Sequence, residues 1–197
     1  QFDYGASTQL FLFIFLTSLA ASAAVIQVRN LGIASRMLSA PILPRTLVFG
    51  LAGGRVGVAM TQALYIVVAT WLLFRVNWGD PLATTVLVLV FCLLSAAAAV
   101  VLGSLFRNDA QASGVGVGVG LVFAALGGSM APLELFPEGL QRVAMITPHR
   151  WANTAMAELV RRDGTIVDIV PELGVLLAYT AVLTVAAAVL MRRALTR

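Results

Sequence analysis

Apolar residues fill five long stretches of this chain, and polar residues are largely confined to the segments between them. The stretches cover residues 5–28, 47–74, 81–106, 110–133 and 173–191. About 20 consecutive apolar residues let a helix cross the hydrocarbon core of a bilayer. Helices of this length in soluble proteins keep a polar face, which these stretches lack. The pattern therefore predicts an all-α integral membrane protein with five transmembrane helices, and residues 1–197 form a single membrane domain.

The segment between the first two stretches, residues 29–45, has a different pattern. Apolar residues there approximate a one-sided stripe, with arginine and serine beside it. This spacing favours a short amphipathic helix along the membrane surface. Pro41 and Pro44 are expected to end that helix, because proline lacks a backbone N–H and restricts the residue before it. An ordinary interfacial connector is the alternative interpretation.

Residues 131–171 form the other segment that does not fit a simple span. Pro132, Pro137 and Pro148 divide it into apolar pieces that are too short to cross a bilayer, including a predicted helix at 150–161. One interpretation is a hairpin that re-enters the membrane while packed on protein, since bare backbone in lipid is too costly. A pair of helices on the membrane surface is the other. Trp151 suits an interfacial depth in either case.

Glycine alternates with valine in the fourth stretch, at Gly114, Gly116, Gly118 and Gly120. Small residues four positions apart let two helix backbones approach closely in a membrane. We therefore expect this helix to pack tightly on a neighbouring helix or on a partner chain.

Composition and charge indicate how the chain is oriented across the membrane. The chain is 60% hydrophobic and 11% charged, with a net charge of +4 that comes from arginine alone. Two segments carry arginine without any acidic residue: Arg29, Arg36 and Arg45 in one, and Arg192, Arg193 and Arg197 in the other. The positive-inside rule places both in the cytoplasm. The chain would then start outside and end inside, so we expect at least one further span before residue 1. A natural five-span protein with a cleaved signal peptide is the alternative interpretation. Arginines scattered over both sides do not favour a nucleic-acid partner.

Several kinds of chemistry are missing from the sequence. A Walker A loop needs a lysine on the nucleotide phosphates, and this chain has none. His149 is the single histidine; we expect it to make a structural or interfacial polar contact, and with Cys92 alone it does not form a metal site. No acidic residue lies within a span, which argues against proton-coupled transport. The sequence thus predicts a protein that is not an enzyme, binds no cofactor or metal directly, and depends on a partner for energy.

Four blocks of sequence, in this order, resemble the membrane subunit, or permease, of type-2 ABC transporters, in the daunorubicin-resistance-like exporter branch. They are RNLGIASRMLSAP at 29–41, GSLF at 103–106, GGSMAPLELFP at 127–137 and TPHRWA at 147–152. The resemblance implies five transmembrane helices of a six-span exporter half, with residues 29–45 as a cytoplasmic coupling helix and residues 131–171 as an outer re-entrant helical hairpin.

The resemblance also implies an activity and partners. The chain would be the permease of an ATP-driven exporter in the cell membrane, with ATP and Mg²⁺ bound by a cytoplasmic ATP-binding-cassette ATPase and a second permease subunit beside it. An apolar path with few charges favours hydrophobic drugs or lipids as substrates. A membrane scaffold or assembly protein, or a transporter not driven by ATP, is the alternative.

Residue roles follow from the same resemblance. The contact with the ATPase would use six residues: Arg29, Ile33, Arg36, Met37, Leu38 and Pro41. The outer gate would use five: Pro132, Phe136, Pro137, Pro148 and Trp151. One departure from the family pattern is the lack of an acidic residue just before Gly32.

Overall fold

The computed structural model of the chain describes residues 2–39 and 44–195, and the regular structure in those residues is helical. The helices are α1 (Phe2–Ala20), α2 (Ala23–Asn30), α3 (Ile33–Leu38), α4 (Pro44–Phe74), α5 (Pro81–Leu105), α6 (Asp109–Leu126), α7 (Glu138–Ala144), α8 (Pro148–Arg161) and α9 (Val170–Leu195), with a 3₁₀ turn at Leu133–Leu135. Five helical stretches of the described residues are long and apolar enough to cross a membrane: Gly5–Val28, Phe49–Phe74, Pro81–Leu105, Asp109–Leu126 and Val170–Met191. The predicted all-α, multi-pass membrane architecture is confirmed.

The five stretches form a bundle around α5, which packs against α1, α4 and α9. Its core includes Phe11 of α1, Phe91 and Leu94 of α5, and Met156 of α8, all fully buried. By contrast, most of α4 is exposed. We call the end of the bundle that carries α3 and the α5–α6 turn the arginine end. The opposite end, with α7, α8 and the α4–α5 connection, is the hairpin end.

The first span is broken, where the sequence predicts one continuous helix over 5–28. At Ala21 and Ser22 the backbone makes shorter-range bonds, Ser22 N–H to the Leu19 carbonyl and Val25 N–H to the Ser22 carbonyl, both at 3.0 Å. The Ala20 carbonyl accepts a hydrogen bond from the Ser113 hydroxyl of α6 at 2.8 Å. A side chain from another helix thus satisfies a backbone group at the break, as a buried membrane helix requires.

The fourth span is shorter than predicted, because α6 ends at Leu126 rather than at residue 133. Gly127 N–H bonds back to the Phe123 carbonyl at 2.8 Å and closes the helix. Gly128 then adopts φ +87°, a left-handed conformation that side chains disfavour. The pair of glycines turns the chain out of the span and into the hairpin.

Prolines mark three other differences from the predicted boundaries. Pro44 begins α4 instead of ending the preceding helix, and Pro148 begins α8, two residues earlier than predicted. Pro171 lies in the first turn of α9, so that helix starts at Val170 and not at residue 173. Proline is tolerated in a first helical turn because the N–H it lacks would have no partner there.

Candidate functional site

The short helix α3 lies at the arginine end and packs mainly against its chain neighbours α2 and α4. Gly32 has φ +66°, which allows the sharp turn between α2 and α3. Beyond this turn Ile33 and Met37 are 39% and 43% exposed, and Leu31 is 63% exposed. Arg36 is also exposed. An apolar surface with one cation therefore stands free at this end of the described structure.

Of the six predicted coupling residues, Ile33, Arg36 and Met37 lie together on α3, where all three are exposed. Pro41 lies outside the described residues, and so do the side chains of Arg29 and Leu38. The assignment of the six to an ATPase contact stays a prediction.

The four glycines of α6 fall on two faces with different surroundings. A Cβ atom at Gly116 would lie 2.7 Å from the Leu19 carbonyl oxygen of α1, and one at Gly120 would lie 3.1 Å from Leu16 Cδ1. A Cβ atom at Gly114 or Gly118 would meet nothing within 4 Å. The backbones of α1 and α6 thus meet closely through one pair of glycines, while the other pair faces away from the described bundle.

At the hairpin end, α8 is a strongly amphipathic helix laid against the bundle. The Thr147 hydroxyl caps its first turn by accepting from Arg150 N–H at 3.4 Å. Its apolar face packs on α1 and α9 and contributes the fully buried side chains Met156 and Leu159. Gly127 makes the approach possible, since a Cβ atom there would overlap the Cβ atom of His149. Helix α8 is therefore a buried part of the bundle and not a loose surface element.

Hydrogen bonds between polar groups join α8 and α1 to the end of α6. The Asn153 side-chain amide donates to the Gly127 carbonyl at 2.8 Å and to the Ser129 hydroxyl at 3.0 Å. Gln9 of α1 donates to the Ser129 carbonyl at 3.0 Å. Asn153 and Ser129 are buried. These bonds hold the first residues after α6 between α1 and α8.

His149 lies one turn before Asn153 and is completely buried. Its ring meets Phe15 edge to face at a centroid distance of 4.9 Å and Phe91 at 5.3 Å. Neither ring nitrogen has a hydrogen-bond partner among the described residues. Burial lowers the pKa of His149 from 6.5 to about 3, although the nearby Phe11 carbonyl acts in the opposite direction. His149 is therefore a structural residue of the core and not an interfacial one: its neutral imidazole packs against aromatic rings of α1 and α5, close to the Phe11 carbonyl.

The predicted gate residues fall into two segments. Pro132, Phe136 and Pro137 belong to the chain before α7, where both prolines are exposed. Pro148 and Trp151 belong to α8; Pro148 is buried, and the Trp151 indole donates to the Met145 carbonyl at 2.9 Å. Their common role in a gate stays a prediction.

A cavity of about 280 Å³ opens between the 3₁₀ turn, α7 and α8. Arg161 pairs with Glu134 at 3.1 Å across it, and Arg162 pairs with Glu158 at 2.8 Å. The pKa of Glu134 is lowered, first by its own backbone N–H and also by Arg161. Because Glu134, Arg161 and Arg162 are exposed and Glu158 is only half-buried, each pair contributes only about 0–1 kcal/mol. The Arg161–Glu134 pair joins α8 to the 3₁₀ turn, whereas the Arg162–Glu158 pair lies at the end of α8 itself.

Sequence reasoning missed the polar residues that are bonded together at the hairpin end: the buried Ser129 and Asn153, and the exposed Gln9. A signal was present, because an asparagine on the apolar face of an amphipathic helix needs a polar partner. Its partner could not be read from the sequence, since Gly127 lies 26 residues away. Within residues 2–39 and 44–195, no three or more acidic, histidine or cysteine side chains are grouped to hold a metal ion.

Comparison with known proteins agrees with this architecture. The model of the ABC-2 family transporter protein family matches residues 1–189. The linearmycin resistance permease protein LnrN of Bacillus subtilis (strain 168) is 27% identical over 171 residues, which cover 87% of this chain and 44% of that protein. The chain thus spans less than half the length of this relative. No solved structure matches the chain. The chain has five helices that can span a membrane, and the family model matches nearly its whole length. It therefore belongs to the ABC-2 transporter family.

Proposed function

We propose that this chain is the permease part of an ATP-driven exporter, and that a cytoplasmic ATPase moves it by contacting α3. The observation that carries the proposal is the exposed apolar surface of Ile33 and Met37 at the arginine end, beside Arg36. An apolar patch with a polar border favours a protein partner. A separate ATPase would supply the energy, because a chain without lysine has no Walker A loop of its own. The arginine end would then be cytoplasmic, in line with the positive-inside rule.

The contacts of α3 indicate which helices would move with it when the ATPase displaces it. Helix α3 continues from α2 through the Leu31–Gly32 turn, and Asn30 at the end of α2 donates to the Arg107 carbonyl at 3.4 Å. Movement of α3 would therefore reach α2 and the α5–α6 turn directly. At the far end, α8 is bonded to the residues after α6, so the hairpin would follow any movement of α6.

A second permease subunit would pack on the free face of α6. A Cβ atom at Gly114 or Gly118 would have no atom of the other described helices within 4 Å, and Val115 and Val117 beside them are exposed. Cysteine at position 118, with Cys92 replaced by alanine, should form a disulfide-linked dimer in membranes. Cysteine at Val68, which is exposed on α4, is the matched control. Equal cross-linking at the two positions would refute this packing.

The substrate class proposed is hydrophobic drugs or lipids. The spans offer an apolar path with few charges. The relative in Bacillus subtilis is named for resistance to linearmycin, which supports drug export. A candidate drug or lipid can be tested by measuring how much of it accumulates in cells that contain the transporter and in cells that lack it.

The decisive experiment changes α3 without touching the bundle. Met37→Glu places a carboxylate in the proposed apolar contact, and Met37→Leu keeps the position apolar. Gln111→Glu is the matched control, because Gln111 is exposed in the first turn of α6 at the same end of the bundle. We expect Met37→Glu to lose export and substrate-stimulated ATP hydrolysis while its expression and thermal unfolding stay unchanged, and both other variants to keep full activity. If Met37→Glu exports normally, or if the purified transporter contains no ATPase, the assignment fails and a scaffold or a transporter not driven by ATP takes its place.

A further inference from the structure

A cavity of about 470 Å³ lies at the hairpin end between the ends of α4 and α5. Val67, Val68 and Trp71 of α4 form one wall, and Thr84 of α5 lies opposite. The connection that joins the two helices supplies most of the remaining lining, including Arg75 and Trp78. The predicted gate and coupling residues take no part in this cavity.

The polar groups of the cavity are arranged to receive an acceptor. Arg75 is the only charged side chain among the lining residues. Asp80 is the next acidic residue along the chain, and its carboxylate accepts the Ala83 N–H at 2.8 Å as the cap of α5. Within the described residues, no ion pair to Arg75 is found. An uncompensated guanidinium at a cavity wall favours an anion with several oxygen atoms, such as a phosphate.

Trp78 adds a second donor. Its side chain is only 8% exposed, and its indole N–H has no acceptor among the described residues. The hydroxyl of Thr84 cannot supply one more donor, because it already donates to the Trp78 carbonyl at 2.6 Å. A buried donor without a partner is unfavourable. The indole nitrogen has almost no accessible surface, so a ligand acceptor would satisfy it after the ring turns toward the cavity that Trp78 lines.

The remainder of the cavity is apolar and continues onto the membrane-facing surface. Val68 and Trp71 are 41% and 54% exposed, and Leu64 and Tyr65 extend the same exposed helix toward the middle of the span. Tryptophan residues are enriched at the depth of lipid headgroups. A ligand that fits would therefore combine an anionic, oxygen-rich head with an apolar chain.

From these observations we propose that the α4–α5 cavity binds the phosphate group of a membrane phospholipid, with an acyl chain along α4. Arg75 would contact the phosphate, and the Trp78 N–H would donate to a headgroup or ester oxygen. A cation after the last turn of α4 would also complement the helix dipole, which is a purely structural role. That role does not depend on the lipid headgroup, so the two can be separated.

The test uses the purified, delipidated chain in detergent with lipid added back, and thermal unfolding as the readout. Four probes are compared at equal concentration: phosphatidylglycerol, phosphatidylcholine, diacylglycerol and inorganic phosphate. Both phospholipids should raise the unfolding midpoint, and diacylglycerol and inorganic phosphate should not. Full stabilisation by diacylglycerol would overturn the role of the phosphate, and full stabilisation by inorganic phosphate would overturn the role of the lipid.

Substitutions test whether the stabilisation by phospholipid arises from binding in the α4–α5 cavity. Arg75→Gln should raise the half-saturating concentration of phosphatidylglycerol by about tenfold to a hundredfold, the usual consequence of losing hydrogen bonds to a charged group. Trp78→Phe keeps the ring and should weaken binding less. Arg142→Gln is the matched control, because Arg142 is an exposed arginine of α7 at the same end. If Arg75→Gln and Arg142→Gln bind the lipid equally well, the site does not exist.

Discussion

The two faces of α6 give a prediction that can be worked out quantitatively. Replacing Gly118 by alanine adds a methyl group in open space, whereas replacing Gly116 adds one 2.7 Å from the Leu19 carbonyl oxygen and 2.9 Å from its carbon. Alanine in a helix is favoured over glycine by about 0.5–1 kcal/mol, and this gain applies at both positions. Only the packing around the new methyl group differs between the two variants.

The expected difference follows from the contact at Gly116. Because the clashing atoms belong to the α1 backbone, the two helices must separate, and overpacking of this kind costs about 1–3 kcal/mol. Gly118→Ala should therefore leave the free energy of unfolding unchanged or raise it by up to about 1 kcal/mol. Gly116→Ala should lie about 1–3 kcal/mol below Gly118→Ala. Gly120→Ala should fall between them, since its 3.1 Å contact is with the mobile end of the Leu16 side chain.

The chain carries its own reporter for this measurement. Cys92 is the single cysteine and is completely buried. A maleimide dye that fluoresces on reaction with the thiol will therefore follow unfolding of the monomer in dilute detergent. The unfolding midpoints should rank Gly118→Ala above Gly120→Ala above Gly116→Ala. A Gly116→Ala midpoint equal to or above that of Gly118→Ala would refute the close contact of α1 with α6.

Three further predictions concern the hairpin end and the α1–α6 contact. Asn153→Ala should lower the free energy of unfolding by about 1–3 kcal/mol, because it leaves buried acceptors at the end of α6 without donors; an unchanged unfolding midpoint would refute this. The pKa of His149 is lowered in the folded chain, so between pH 6.5 and about 3 the unfolded chain binds a proton that the folded chain does not. The free energy of unfolding should therefore decrease as the pH is lowered through that window. His149→Phe should flatten this pH dependence in a chemical-unfolding series, and an unaltered slope would count against the buried neutral imidazole. Cysteines at Leu16 and Gly120, in a background free of other cysteines, should form a disulfide, since the Cβ–Cβ separation of 3.8 Å matches that of natural disulfides; export by the oxidised protein should be unchanged.

The spans could be predicted from the sequence because the information is local. A run such as 81–106 is apolar at nearly every position, and α5 occupies it to within one residue. The end of α6 also has a local signal, because the glycine pair Gly127 and Gly128 is a common way to end a helix. The apolar residues around the pair nevertheless favour a longer helix. Here the length needed to cross the bilayer outweighed the local signal and gave the wrong boundary.

What could not be predicted depends on residues far apart in the chain. The break in the first span is stabilised by Ser113, which lies 93 residues from Ala20. The burial of His149 depends on aromatic rings of α1 and α5, so its position outside the spans gave no indication of it. In both cases the sequence shows a polar residue but not the surface on which it packs.

These distant contacts together restrict how the bundle can move. Helices α1 and α6 meet backbone to backbone at Gly116, and hydrogen bonds join them near both ends, from Ser113 to Ala20 and from Gln9 to Ser129. Separating them would break every one of these contacts at once, whereas α4 is largely exposed and is held less tightly. We therefore expect α1 and α6 to move as one rigid pair that carries α8 with it. A disulfide between them would then leave export intact, because transport requires this pair to move relative to its surroundings and not to come apart.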